Sequence, residues 1–139
     1  MDSKSEPIKF FVKDILGCQC EDSVFESIVQ EKEVRLEPEL LVNRVLIIGN
    51  RLLIYLYFFN NYNKNDLDVI LPKLIAHGRA WREDRNLNRF RLVIISNDPT
   101  EFETQANEIF VKNIGNDEKI HLHVLSENDI NLLITEMNK

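Results

Sequence analysis

Between Pro7 and Leu16 the apolar positions Ile8, Phe11, Val12, Ile15 and Leu16 recur at helical spacing, with Ser5 placed to start the segment and Gly17 to stop it. A first short amphipathic helix is expected there. After Cys18-Gln19-Cys20, the acidic Glu21 and Asp22 suit a helix N-terminus. Val24, Phe25, Ile28 and Val29 give that segment one apolar face, which predicts a second helix over 22–29. Val34-Arg35-Leu36 alternates and is closed by Pro38, the pattern of a short edge strand. Residues 44–48 and 51–58 are β-branched and aromatic runs. The Gly49-Asn50 pair between them suits the positive φ angles of a tight hairpin turn.

The pattern then changes period. Asn65 and Asp66 open a segment carrying Leu67, Ile70, Leu71, Leu74, Ile75 and Trp81, a helical face that reaches about Arg85, with Pro72 and Gly78 as places where it could bend. Residues 89–95 read as a buried strand. Asp98-Pro99 then starts a helix whose apolar positions are Phe102, Ala106, Ile109, Phe110 and Ile114. Gly115-Asn116-Asp117 is a turn and residues 119–125 a strand. Ser126-Glu127-Asn128-Asp129 opens a last helix through Ile130, Leu133, Ile134 and Met137.

The element order is ααβββαβαβα. Strands near 51–58, 89–95 and 119–125, joined by helices, become parallel neighbours through right-handed crossovers, and the 44–58 hairpin adds an antiparallel member. The expected fold is an α/β domain with a mixed sheet of about five strands and helices on both faces. If the strand order advances in one direction, the helices at 65–85 and 99–114 share a face, and the N-terminal segments with Cys18 and Cys20 cover the other. No internal repeat or low-complexity linker divides residues 1–139, so a single domain is expected.

Composition adds a few exclusions. A chain of 139 residues with 44% apolar and 29% charged residues matches ordinary globular usage. The longest apolar run, Leu52 to Phe59, is far short of a bilayer span. Met1-Asp2-Ser3-Lys4-Ser5-Glu6 has no basic start or apolar stretch of a secretory leader, so the expected location is the cytoplasm. A formal charge of −6 repels polyphosphate backbones and argues against nucleic-acid partners.

Chemistry-bearing residues fall into three groups. Cys18 and Cys20 are the only cysteines. One residue apart, they are poorly placed for an unstrained disulfide, and the amides opening a 22–29 helix would favour a reactive thiolate. His121 and His123 flank Leu122 and so share one face of a strand, as Tyr55 and Tyr57 share a face with Leu53. If the cysteine loop lies over that strand, Cys18, Cys20, His121 and His123 would present two thiolates and two imidazoles, a tetrahedral set suited to Zn²⁺. Arg79, Arg82, Arg85, Arg89 and Arg91 form the one basic concentration. It is a candidate anion or nucleotide site unless Glu83 and Asp84 neutralise it. His77 beside Gly78 reads as an ordinary helix residue. Asn97-Asp98-Pro99 lies where open parallel sheets place ligands, though a helix start explains Asp98 more simply. No phosphate-binding glycine loop, nucleophile elbow or zinc-protease pair occurs.

The stretch Leu16-Gly17-Cys18-Gln19-Cys20-Glu21-Asp22-Ser23-Val24-Phe25, with Leu87-Asn88-Arg89-Phe90-Arg91-Leu92 and Ile120-His121-Leu122-His123-Val124-Leu125, resembles a family of small uncharacterised prokaryotic proteins with an LGCxC segment near the N-terminus. That family has no known activity, so the resemblance implies no catalytic residue. Three functional expectations follow from the residues. The first is a thiol-dependent role, redox or metal-binding, at Cys18 and Cys20. The second is a noncatalytic module that pairs a protein partner through an exposed sheet edge. The third is anion or nucleotide binding through the arginines.

Overall fold

The structure, a computed structural model, describes residues 5–59 and 66–131 together with Leu133 and Thr135. Met1 to Lys4, Asn65, Ile134 and Met137 lie outside the described residues. Five strands form one sheet in sequence order: β1 (Ile28–Glu37), β2 (Leu40–Ile48), β3 (Leu52–Phe58), β4 (Arg89–Ser96) and β5 (Ile120–Ser126). β1, β2 and β3 pair antiparallel, and β3, β4 and β5 pair parallel. The mixed α/β sheet expected from the hairpin followed by βαβαβ is therefore present.

The helices that accompany it include α1 (Ser5–Phe10), continued by a wider π-turn at Phe11–Ile15; α2 (Leu67–Asp84); and α3 (Glu103–Ile114), and Asn131, Leu133 and Thr135 are helical after the turn at Glu127–Ile130. Right-handed crossovers from β3 to β4 and from β4 to β5 put α2 and α3 on the same face. There Leu71, Leu74, Ile75, Ala106 and Phe110 pack on Leu53, Tyr55, Phe90, Leu92 and Ile94. The opposite face takes Ile8, Phe11, Val12 and Leu16 of the N-terminal segment, Phe25, and Ile130 and Leu133, all against Ile54, Leu56, Val93 and Ile95. Each central strand is thus apolar on both sides, which is why residues 52–56 and 92–95 read as continuous apolar runs.

Two local expectations change. Residues 22–29 do not form a second helix: Asp22–Glu26 is a 3-10 turn, and the chain is extended from Ile28. Ile28 pairs with Ile48, so the ladder to β2 claims residues whose spacing also fitted a helix. The strand expected at 34–36 is correspondingly the end of a ten-residue edge strand, and Pro38 enters the two-residue turn leading into β2. α2 runs unbroken through Pro72 and Gly78. Gly78 sits under the Phe90 ring, so its missing side chain permits close packing on the sheet.

Candidate functional site

The N-terminal segment stops where Gly17 takes φ 76°, a left-handed value that ends a helix at little cost. The chain then crosses the sheet face shared by β4 and β5. Leu16 O accepts a hydrogen bond from Arg91 Nη1 at 3.2 Å, fixing the start of the cysteine loop over β4. Asp22 closes the loop against the first helix, with Lys13 Nζ at 2.7 Å and Lys9 Nζ at 3.4 Å. The hydrogen bonds from Lys13 and Lys9 hold the Asp22 carboxyl below the usual carboxylate range.

On the other side stands the turn between β2 and β3. Gly49 and Asn50 take positive φ angles of 60° and 54°, as a tight hairpin requires. Gly49 N donates to Ser27 O at 2.7 Å, and Arg51 O accepts from Asn88 N and Arg89 N at 2.6 and 3.1 Å. These bonds tie the hairpin turn to the entry of β1 and the entry of β4.

Between the loop and the turn lies a cleft of about 770 Å³. Cys18, Cys20 and Glu21 line one side, Arg51 and Asn88 another, and Arg89, Arg91 and His121 the sheet floor. It opens at the end where the parallel strands begin. The Asn97-Asp98-Pro99 segment is at the opposite end of β4, where Asp98 Oδ1 accepts the Thr100 hydroxyl at 2.8 Å.

The cysteine geometry departs from the sequence expectation. Cys18 and Cys20 form a disulfide, their Cα atoms 5.4 Å apart, within the range such bonds need. The thiolate-favouring helix start is absent, because the segment that follows is a five-residue 3-10 turn. Both cysteines are half-buried and pack against the core on this face while also lining the cleft.

The loop does lie over the histidine face, but the four candidate metal ligands do not assemble. Among the described residues no group of three or more His, Cys, Asp or Glu side chains is arranged to hold a metal ion. The imidazoles are engaged by arginine: Arg89 Nη1 lies 3.0 Å from His121 Nε2, and Arg91 Nη1 lies 2.9 Å from His123 Nε2. Guanidinium only donates, so each Nε2 accepts and each ring carries its proton on Nδ1. Burial is the main cause that keeps both rings neutral, reinforced by Arg91 and Arg89 for His121 and by Arg91 and His121 for His123. His123 is pushed down to about 4.

The arginine cluster divides in two. Arg79 and Arg82, on α2, reach Asp117 at 3.7 and 3.4 Å, so the neutralising carboxylate is Asp117 and not Glu83 or Asp84. Arg79 Nη2 also donates to the carbonyls of Asn113 and Ile114, capping the C-terminus of α3. Arg85 lies over the Trp81 ring, 5.3 Å from its centroid. Only Arg89 and Arg91, on β4, enter the cleft, and they are joined there by Arg51, which sequence reasoning missed. A signal existed: Arg51 ends the hairpin turn and Arg89 opens the next parallel strand, so neighbouring strand starts bring them together. Among the described residues no helix is long and apolar enough to cross a membrane. Comparison of the chain with protein-family models, with curated proteins and with solved structures finds no match.

Proposed function

We propose that Cys18 and Cys20 form a thiol–disulfide centre that exchanges with a thiol entering through the cleft. The observation that carries the reading is the position of the bonded sulfurs on the wall of an open cleft instead of inside the core. The step balances as ordinary exchange. An incoming thiolate attacks one Sγ, the Sγ–Sγ bond breaks, and the other cysteine leaves as thiolate and takes a proton. A second substrate thiol attacks the mixed disulfide, releasing the substrate disulfide and leaving both cysteines reduced. Two electrons pass from the two thiols to the protein. Arg51, Arg89 and Arg91 supply positive charge beside which a leaving thiolate is stabilised. In a reducing compartment a disulfide of this kind is transient, as a redox or sensing centre requires.

The metal-binding version has weaker support, because His121 and His123 present engaged nitrogens and the cleft is lined by cations. The interaction-module reading rests on β1, which pairs with β2 alone. Glu31, Lys32 and Glu33 along that edge are exposed charges of the kind that discourage strand addition. Maleimide labelling of the native protein, read by intact mass, tests the thiol reading. We expect no label before dithiothreitol, two labels after it, and loss of labelling again after oxidised glutathione. Two labels without reductant, or a bond that dithiothreitol opens only in denaturant, would overturn it.

A further inference from the structure

The cleft contains an imbalance that the disulfide does not explain. In a chain with 23 acidic and 17 basic residues, three guanidinium groups meet a single carboxylate, Glu21, among the lining side chains. Five cations outside the cleft are matched by carboxylates: Lys9 and Lys13 by Asp22, Lys73 by Glu37, Arg79 and Arg82 by Asp117. Among the described residues none of Arg51, Arg89 and Arg91 has a carboxylate within ion-pair distance.

Their donors are also incompletely used. Arg89 commits Nη1, to Glu118 O at 3.2 Å and to His121, and Arg91 commits Nη1, to Leu16 O and His123. The Nε–H of Arg91 is buried with no partner, a group that costs free energy unless something accepts from it. The neutral histidines act as props: each takes one N–H and leaves the rest of the fork pointing elsewhere. Burial and Arg89 both press Arg91 toward its neutral form, a pressure that a nearby negative charge relieves.

We propose that Arg51, Arg89 and Arg91 form an oxyanion-binding site for the phosphate or carboxylate group of a small molecule, with His121 and His123 holding the guanidinium groups in place. Planar guanidinium forks match both oxyanions, and a cleft of about 770 Å³ has room for a molecule larger than a bare ion. The site stands independently of the thiol reading. Where both hold, the exchanging thiol is one that carries such an anionic group.

Calorimetric titration and thermal melting at fixed ionic strength, with pyrophosphate as the phosphate probe and citrate as the carboxylate probe, test it. At least one probe is expected to bind saturably, raise the melting temperature and shift the His121 ring resonances. Arg51→Gln, at an exposed position whose side chain makes no hydrogen bond or ion pair among the described residues, and Arg89→Gln should each weaken binding by tenfold or more. Arg85→Gln, which removes the same charge outside the cleft, should leave it unchanged. A Cys18→Ser, Cys20→Ser protein should keep its affinity within a few-fold. Failure of both probes to bind saturably, or equal binding by parent, Arg51→Gln and Arg89→Gln, would overturn the site. Anion binding without thiol exchange would remove only the thiol centre, and exchange without anion binding only this site.

Discussion

Gly78 is where α2 approaches the sheet most closely. A Cβ built there overlaps Cε2 and Cζ of Phe90, a fully buried ring that also stacks edge-on against Tyr55 at 4.8 Å between centroids. Gly78→Ala gains up to about 1 kcal/mol in helix propensity, while overpacking a closed core costs roughly 1–3 kcal/mol. The net expectation is lower stability, read as a lower urea midpoint; a midpoint equal to or above the parent's would show that the helix can lift from the sheet. His123 makes a second prediction at this scale. Its folded pKa of about 4 is depressed from 6.5, so the unfolded chain binds the proton more readily between those values. The contribution is present above pH 6.5 and is lost as pH falls toward 4. The full shift corresponds to roughly 3–4 kcal/mol as an upper bound, reduced because the ring is only partly buried. His123→Gln should flatten the stability loss over that window. An unchanged slope in denaturation midpoints between pH 6.5 and 4 would place the acid sensitivity elsewhere. Neither feature was legible in the sequence. Parity gave the shared face of His121 and His123, but the arginines that occupy them come from a strand whose register only folding sets.

At the scale of elements, the local signals that carry their own geometry were the readable ones. Gly49-Asn50 turns the hairpin, Gly17 stops the first helix, and Ser126 and Asp129 form a reciprocal capping box with hydrogen bonds of 3.2 and 3.0 Å. Ser126→Ala should cost about 1 kcal/mol, the usual worth of such a cap. Chemical denaturation checks this, and no loss would mean that packing of Ile130 and Leu133 alone holds the turn. The edge strand expected at 34–36 is present within β1, but the helix expected over 22–29 is not, because the apolar positions of that stretch fit two periods. Phe25 is buried by the 3-10 turn, but Val29 is exposed on β1, and the polar run Gln30 to Glu33 hides the alternation that marks a strand. Pairing with β2 decided the outcome, and no property of those residues taken alone revealed it. The cysteine loop was misjudged for a similar reason: a two-position spacing argues against a disulfide until the local backbone sets a 5.4 Å Cα separation.

For the whole molecule, the crossover rule predicts which segments share a face only once the strand order advances in one direction, and the order β3-β4-β5 meets that condition. Both cores rest on β3 and β4, so the two layers should melt together as one cooperative unit. A single calorimetric transition is expected, and two separated transitions would contradict it. Ile94 is fully buried on β4, paired by β3 on one side and β5 on the other. Ile94→Pro removes a ladder hydrogen bond and a core side chain, and should abolish folding by circular dichroism. A native spectrum would contradict the central placement of β4. The cleft belongs to this scale too, since its walls come from the cysteine loop, the β2–β3 turn and three strand starts spread from Gly17 to His121.

A redox titration of the Cys18–Cys20 pair in dithiothreitol and glutathione buffers, with the oxidised fraction read by alkylation and intact mass, addresses the thiol centre directly. The account predicts a reversible two-electron transition in the range of exchange-active proteins, roughly −270 to −120 mV. The fold, followed by circular dichroism, should be unchanged across the transition. A midpoint below about −300 mV, the range of structural disulfides, or unfolding on reduction, would contradict it.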